Sequence, residues 1–420
     1  MFNNNYISIL LNIKDKNIKF SDFSCKIVKI NDVDTIIANA TLYNKPDFCP
    51  HCRGKKINIH GYKDTNIKIP AISGYNAILR LKKQRYICKC CGKTFIAKTT
   101  IVNKNCQISK NTKQAVLLSA TDKISEKDIA KKFNISHNTV NRLINSFKDN
   151  YTVNLDYLPE AICFDEFKST SDADGAMSFI FANADNHKII DIVEDRRLYN
   201  LEEYFMKFSR KARDSVKKVV MDMYSPYISL VKKCFKNAKI IFDKFHIINS
   251  LSRALNKTRI KLMNSNKELY NKFKRYWKLL LKYRAEVDYI HHHKSRCFNN
   301  KWLTNREILE KLLSYSEELK ETYEIYQQYL YYIKTNNTKS LEILLNKPLG
   351  NISQYMKTAI KTLKKHKNYI LNATIYKYNN GLIEGINNKI KVIKRIAFGY
   401  RSFYHFRNRI FIMCHLVDIK

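Results

Sequence analysis

Four cysteines near the start of the chain have the spacing of a metal site. They form two Cys-x-x-Cys pairs, made by Cys49, Cys52, Cys88 and Cys91. Four thiolates in two such pairs are typical of a tetrahedral structural Zn²⁺ site. Strand-like stretches at residues 66–70 and 77–86 lie between the pairs. We therefore predict a zinc ribbon, in which the additional Cys90 offers an alternative to Cys88 or Cys91 as a ligand.

Two aspartates have positions that suit metal-dependent phosphate chemistry. Asp165 follows the apolar residues 161–164, and Asp222 follows the apolar residues 217–221. Carboxylates at the ends of separate strands can converge on one point and hold two Mg²⁺ ions, with Mn²⁺ as a substitute. Such a site activates an attacking oxygen and stabilises a leaving one in phosphodiester cleavage.

A third carboxylate is expected from a later helix, and Glu384 is the best candidate. Glu384, Asn387 and Lys391 recur at helical spacing and share one polar face. A solvated position is nevertheless the commoner role for a single glutamate on a helix. The sequence therefore proposes Asp165, Asp222 and Glu384 as catalytic and magnesium-binding residues.

The elements that position these carboxylates follow one another in a distinctive order. From residue 160 the pattern predicts three strands, a helix, a strand, a helix and a last strand that ends at Asp243. This is the order of a ribonuclease H-like fold. The residues after His246 are rich in Lys, Tyr and Leu, with almost no Gly or Pro, which predicts a helical insertion at about residues 250–375. Residues 389–409 interleave basic and aromatic side chains, and they either follow DNA or complete a core.

A helix-turn-helix is predicted upstream of this fold. Ser125 and Ser136 are placed as N-caps of two short helices, and Asn134 tolerates the left-handed turn between them. Such a pair of helices places the second one in the major groove of DNA. The exposed candidates for DNA contact are His137, Asn138, Asn141 and Arg142.

Composition restricts the partner and the compartment. The 420 residues include 76 Lys+Arg against 37 Asp+Glu, a net charge of +39, which favours a nucleic-acid partner. An AT-rich genome would explain some of the lysine, but not the scarcity of acidic residues. The sequence shows neither a signal peptide nor an apolar run of about 20 residues, so a membrane location is not expected. We expect a cytoplasmic chain.

These motifs together resemble the ISL3 family of bacterial insertion-sequence transposases. The similarity covers nearly the whole length, in the cysteine pairs, the helix-turn-helix and the segments at residues 164–167, 221–227, 243–246, 380–387 and 397–403. The resemblance implies a DDE transposase with the triad Asp165, Asp222 and Glu384. It implies binding of the terminal inverted repeats of an insertion sequence, Mg²⁺-dependent cleavage and strand transfer. Asp243 and His246 match a D-x-x-H element of related transposases, although a strand-end Asp and a helix-cap His explain them equally well.

The prediction is a multidomain α/β protein. An N-terminal segment (residues 1–45) precedes the zinc ribbon (46–104), the helix-turn-helix domain (105–150) and a ribonuclease H-like catalytic domain (158–420). Double-stranded DNA is the expected partner, as element ends and as target, with a homo-oligomer in the working complex and an association with the nucleoid. Two alternatives are a catalytically dead DNA-binding regulator and a ribonuclease H-like nuclease that cuts without joining.

Overall fold

The computed structural model describes residues 5–146 and 151–414. The predicted domain limits at residues 1, 150 and 420 lie outside the described residues. The chain divides into two compact units. The first comprises residues 1–152, 170–172 and 389–420, and the second comprises residues 153–169 and 173–388. The described helices are all too short or too polar to cross a lipid bilayer.

The first unit begins with a short helix, α1 (Asn5–Leu10), and a mostly antiparallel sheet. The strands of this sheet are β1 (Ile18–Ile30), β2 (Val33–Leu42), β3 (Ile57–Ile72), β4 (Tyr75–Cys88) and β5 (Thr94–Ile96). Their order is β1-β2-β4-β3, with β5 on β4, and only β2 and β4 run parallel. The predicted N-terminal segment therefore adds two strands to the sheet of the ribbon. Both parts share one core, in which Leu42, Ile67 and Leu79 are fully buried.

Three helices of the first unit form the predicted helix-turn-helix. They are α2 (Lys110–Ser119), α3 (Glu126–Lys132) and α4 (His137–Asn145). Each is capped by a serine, Ser109, Ser125 or Ser136, whose hydroxyl accepts the N–H of the residue three positions on. Asn134 has a φ of 48°, so the left-handed turn predicted between α3 and α4 is confirmed.

The second unit is built on a sheet with the strand order β10-β9-β6-β7-β8. Its strands are β6 (Ala161–Lys168), β7 (Met177–Asn183), β8 (Ile189–Val193), β9 (Lys218–Met221) and β10 (Lys239–Phe242), with helices α5 (Leu198–Met206), α6 (Arg210–Ser215) and α7 (Ser225–Cys234). Strands β6, β9 and β10 are parallel, whereas β7 and β8 are antiparallel. A core of packed phenylalanines, including Phe164, Phe179 and Phe205, holds α5 against the sheet. This is the predicted ribonuclease H-like arrangement.

One strand end differs from the prediction. We expected β6 to end near Asp165, but its pairing with β7 continues as far as Lys168 opposite Met177. Asp165 therefore lies within a strand. Because neighbouring side chains of a strand point to opposite faces, Asp165 and Glu166 face different surroundings.

The insertion after β10 is mainly helical, as predicted. Its helices are α8 (Lys244–Ser265), α9 (Lys267–Leu281), α10 (Asn305–Leu313), α11 (Glu317–Lys334), α12 (Thr338–Asn346), α13 (Gln354–Lys365) and α14 (Lys367–Ile375). A two-stranded ribbon, β11 (His293–Ser295) with β12 (Lys301–Leu303), interrupts them.

The last two helices, α15 (Gly381–Ile396) and α16 (Phe403–Met413), have different surroundings. The start of α15 belongs to the second unit, whereas α16 belongs to the first. Phe406 and Ile410 of α16 are fully buried. The guanidinium of Arg409 donates to the backbone oxygens of Ala120, Asp122 and Ile124, at the end of α2 and in the turn that follows it. The tail of the chain therefore completes the core of the helix-turn-helix domain.

Candidate functional site

The four predicted zinc ligands converge in the first unit. The Sγ atoms of Cys49, Cys52, Cys88 and Cys91 all lie within 4.8 Å of one another. The Cys49–Cys91 and Cys52–Cys88 sulfur pairs are 3.8 and 3.6 Å apart. An ion with Zn–S bonds of about 2.3 Å in a tetrahedron requires sulfur separations of about 3.8 Å. The arrangement of the four thiols therefore suits a tetrahedral zinc ion.

Tight backbone turns shape each cysteine pair. Arg53 and Gly92, with φ of 58° and 69°, donate their N–H groups back to the carbonyls of Cys49 and Cys88. Burial raises the pKa of Cys88, but the backbone N–H groups of Cys91 and Cys90 outweigh it and lower the pKa to about 6. The thiolate, which is the form that binds zinc, is thereby favoured. Cys90 is exposed and its sulfur does not belong to the group of four.

A second cluster lies at the edge of the sheet in the second unit. Asp222 and Asp243 directly follow the parallel strands β9 and β10, and His246 lies in the first turn of α8. His246 Nδ1 is 2.8 Å from Asp222 Oδ1 and 3.2 Å from Asp243 Oδ2. One ligand atom from each of the three residues lies within 4.8 Å of the others. The adjacent carboxylates of Asp222 and Asp243 raise the pKa of His246 to about 10.

Asp165 lies beside this cluster on β6, the neighbour of β9. Burial raises the pKa of Asp165 to about 7, and the negative charge of Asp222 adds to that effect. Asn387 of α15 donates from Nδ2 to Asp165 Oδ2 over 2.7 Å. The half-buried carboxylates of Asp165 and Asp222 repel one another, and a nearby cation would stabilise both as anions. These carboxylates therefore fit a divalent metal ion, and His246 could join them as a ligand only after losing its proton.

Glu166 has different partners from Asp165. Its carboxylate pairs with Arg196 and accepts a hydrogen bond of 3.0 Å from the Tyr227 hydroxyl. Burial, followed by the charge of Glu166, raises the pKa of Tyr227. Because Glu166 already has a cation and a hydroxyl partner, it is the less suited of the two neighbours to bind a metal.

Glu384 lies in the first turn of α15 and is exposed. Among the described residues, neither Glu384 nor Asp165 belongs to the compact group of Asp222, Asp243 and His246. Glu384 lies three residues before Asn387, on the same helix face, so its side chain projects on the side of α15 that contacts Asp165. The N-terminus of this helix is held near the cluster by Asn380.

Asn380 and Asn387 contact the residues of this cluster, although the sequence analysis did not propose either of them as a site residue. Asn380 is 4% exposed, donates from Nδ2 to Phe164 O over 3.0 Å, and contacts Asp243 Oδ1 through its backbone N–H at 3.4 Å. Asn387 is 6% exposed. In the described part of the chain, the Oδ1 atoms of both asparagines are buried without a hydrogen-bond partner. The sequence offered two signals: the family resemblance of residues 380–387, and the position of Asn387 on the face of α15 that carries Glu384.

The four candidate DNA-contacting residues on α4 are not equivalent. His137, Asn138 and Arg142 are exposed. Asn141, which we expected to be exposed, is half-buried, and its Nδ2 lies 3.3 Å from His405 Nε2 of α16. His405 also lies 2.9 Å from Glu126 Oε1 and 2.8 Å from Asn145 Oδ1. Asn141 therefore packs against α16, and the exposed face of α4 is narrower than predicted.

Comparisons with known families assign each part of the chain. Residues 162–410 match the transposase domain of the ISL3 family. Residues 45–91 match the zinc finger of the transposases of IS204, IS1001, IS1096 and IS1165, and residues 97–147 match the helix-turn-helix domain of transposase family ISL3. The transposase match alone covers more than half of the chain. The chain belongs to the ISL3 family of transposases, with a zinc ribbon that contains the cluster of Cys49, Cys52, Cys88 and Cys91.

Individual relatives differ in how much of the chain they cover. A transposase for insertion sequence element IS1001 from Bordetella parapertussis is 21% identical over 385 residues, which are 87% of this chain and 89% of that protein. A Lactococcus lactis subsp. lactis protein named ATP-dependent protease is 41% identical over 110 residues, which are 26% of this chain and 35% of that protein. The Drosophila P element transposase in its strand transfer complex aligns with a TM-score of 0.34 and 12% identity, over 77% of this chain and 94% of that one.

Proposed function

We propose that this transposase cleaves and joins DNA with Asp165, Asp222 and Glu384 as metal ligands. The observation that supports the proposal best is the convergence of β6, β9, β10 and α15 on one point. There Asp222 lies at the end of β9, and Asp165 is held by Asn387 of α15. When bound between such carboxylates, two Mg²⁺ ions would activate the attacking oxygen and stabilise the leaving one, and Mn²⁺ would substitute. Water attacks the phosphodiester at the element end and displaces its 3′-oxygen, which leaves as a 3′-hydroxyl. That hydroxyl then attacks a phosphodiester of the target DNA and displaces a target 3′-oxygen, so one phosphodiester bond is broken as another forms.

Asp243 and His246 act in this proposal as accessory residues. His246 lies within hydrogen-bond distance of both Asp222 and Asp243, so it fixes the orientation of the Asp222 carboxylate. Residues that orient a metal ligand commonly change metal affinity or activity 10- to 100-fold when they are replaced. The buried Asp243 carboxylate in turn holds the imidazole and the backbone at Asn380.

The first unit supplies recognition of the element ends. His137, Asn138 and Arg142 are the exposed side chains of α4 that would reach base edges in a major groove, as the second helix of a helix-turn-helix does. Asn141 contributes indirectly, by holding α4 against α16. Since two ends of an element must be cut, at least two subunits take part in the working complex.

Cleavage of a duplex that carries the DNA flanking this gene tests the proposed activity. Wild-type protein with Mg²⁺ should nick the duplex at the element end and then yield a joined product with a second DNA. Asp222→Ala should bind the duplex with unchanged affinity and lose both products. Binding without cleavage by the wild type would favour a dead regulator, and cleavage without joining would favour a nuclease.

A further inference from the structure

A groove extends away from the carboxylate cluster along the helical insertion. It has a volume of about 550 Å³ and lies between α8 and α13, with Asp222, Glu166 and His246 at one end. We call it the α8–α13 groove. Cavities of this size hold ligands of small-molecule dimensions, so the groove has room for a short stretch of one nucleic-acid strand.

One wall of the α8–α13 groove is a polar stripe on α8. After His246 it continues with Asn249, Arg253 and Lys257, at successive helical turns. From His246 to Lys257 this stripe spans about 16 Å at 1.5 Å per residue. Arg253 and Lys257 are both exposed, and no carboxylate of the described residues lies within ion-pair distance of either. Two uncompensated cations that follow a metal-binding cluster suit a run of phosphates.

The opposite wall, on α13, carries hydroxyls and an aromatic ring. Tyr355, Thr358 and Thr362 recur at helical spacing along the groove. The Tyr355 side chain is 42% exposed, and Lys257 Nζ lies 5.9 Å from the centre of its ring. At the end near Asp222, Tyr224 offers a second partly exposed ring. Aromatic faces beside a line of cations are the features by which proteins bind single-stranded nucleic acid.

We propose that the α8–α13 groove binds a single-stranded stretch of DNA next to the phosphate that is cut. Arg253 and Lys257 bind its phosphates, and Tyr355 stacks on a base. The inference rests on the proposed function, because the cluster at the end of the groove is the proposed site of cleavage. The inference adds to the proposed function that the duplex opens near the cluster and that one strand lies along helices α8 and α13 of the insertion.

The affinity of the full-length protein for fluorescent oligo(dT), without added divalent metal, tests the groove separately from cleavage. Arg253→Ala/Lys257→Ala should weaken oligo(dT) binding about tenfold. It should also lower the slope of log affinity against log salt by about 1.4, since each single-strand phosphate contact contributes about 0.7. Affinity for a duplex of the same length should change less than about twofold, because the helix-turn-helix supplies most duplex binding.

A matched double variant controls for the loss of two positive charges. Lys311 and Lys339 are exposed lysines of α10 and α12 that lie outside the groove. Lys311→Ala/Lys339→Ala should leave oligo(dT) affinity within about twofold of the wild type. An equal loss of oligo(dT) affinity in both double variants would overturn the inference, as would an equal loss of affinity for the duplex. Tighter binding of oligo(U) than of oligo(dT) would also overturn it, because the groove would then prefer RNA.

Variants of Tyr355 distinguish base stacking from charge as the source of oligo(dT) affinity. Tyr355→Ala should weaken oligo(dT) binding about tenfold, whereas Tyr355→Phe, which keeps the ring, should bind as the wild type does. If both variants bind normally and Asp222→Ala still abolishes cleavage, the proposed function stands and the groove is not the path of the strand.

Discussion

The side-chain amide of Asn387 holds one carboxylate of the proposed site. It donates to Asp165, whose carboxylate is half-buried and lies close to the charge of Asp222. A hydrogen bond to the charged form of a carboxylate favours ionisation and fixes the direction of its lone pairs. Asn387 therefore acts as a positioning residue for Asp165 in the proposed site.

Replacement of Asn387 tests this role. Asn387→Ala should slow Mg²⁺-dependent cleavage about 10- to 100-fold, the usual effect of losing a residue that orients a metal ligand. Raised Mg²⁺ concentrations should restore part of the rate, and duplex affinity should not change. Asn388→Ala, at the exposed neighbouring position, is the control and should cleave at the wild-type rate. Equal cleavage rates for the two variants would show that Asn387 does not position Asp165.

The zinc site is expected to depend on Cys49 but not on Cys90. Cys49→Ser should lower the zinc content from one ion per chain and destabilise the ribbon, because the metal supplies folding energy to such small sites. Cys90→Ser should keep the ion, since the Cys90 sulfur is outside the group of four. Elemental analysis of the purified proteins measures both. Loss of zinc from Cys90→Ser would mean that Cys90 replaces Cys88 or Cys91 as a ligand.

Some of these residues are predictable from sequence and others are not. The cysteine pairs, Asp222 and Asp243 follow from local spacing and from the ends of short apolar strands. Asn380 and Asn387 do not, because their roles depend on where α15 packs, more than 200 residues along the chain from Phe164 and Asp165. Local pattern also does not reveal that Asp165 lies inside β6, since the length of β6 is set by its pairing with β7.

The sequence alone does not determine where helix α16 packs. Its basic and aromatic residues suit either DNA binding or a core, and the structure places Phe406 and Ile410 in the core of the first unit. Arg409 is 1% exposed and donates to three backbone carbonyls after α2. The helix-turn-helix therefore depends on a helix that is distant in sequence, since Arg409 and Ala120 are 289 residues apart.

Loss of Arg409 should loosen the helix-turn-helix. Arg409→Met keeps much of the apolar volume but leaves buried carbonyls without a donor, at a cost of about 1–3 kcal/mol for each unsatisfied group. Hydrogen exchange in α2, α3 and α4 should accelerate at least tenfold, and duplex affinity should fall with it. Arg401→Ala, at an exposed position just before α16, should exchange as the wild type does. Unchanged exchange in Arg409→Met would show that α16 does not support this domain.

At the scale of the whole molecule, the net charge of +39 determines how the protein responds to salt. A protein that neutralises 6–10 phosphates of a duplex loses about 10³- to 10⁵-fold in affinity between about 50 and 200 mM salt. We expect a loss in this range for duplex binding. Arg142→Ala should reduce the slope by about 1 if Arg142 contacts a phosphate, or keep the slope and relax base preference if it contacts a base. If duplex affinity hardly changed with salt, the excess of lysine would reflect the composition of the genome and not contacts with DNA phosphates.

The overall charge and the order of domains were predictable from sequence. Composition reports charge directly, and each motif is local to a short segment. The division of the chain was not predictable, because residues 170–172 and 389–420 join the first unit although they follow part of the second. Whether a later segment joins an earlier unit depends on packing between residues that are distant in sequence. The periodicity of hydrophobic residues does not predict such packing.

The proposed mechanism requires Glu384 to share metal ions with Asp165 and Asp222. Single-turnover cleavage of an element-end duplex by Glu384→Gln tests this most directly, because the amide keeps the size of the side chain and removes the anionic ligand. We expect a rate at least about 100-fold below that of the wild type, because metal ions contribute several kcal/mol to such reactions, and an unchanged affinity for the duplex. Cleavage by Glu384→Gln at the wild-type rate would show that Glu384 is not a metal ligand.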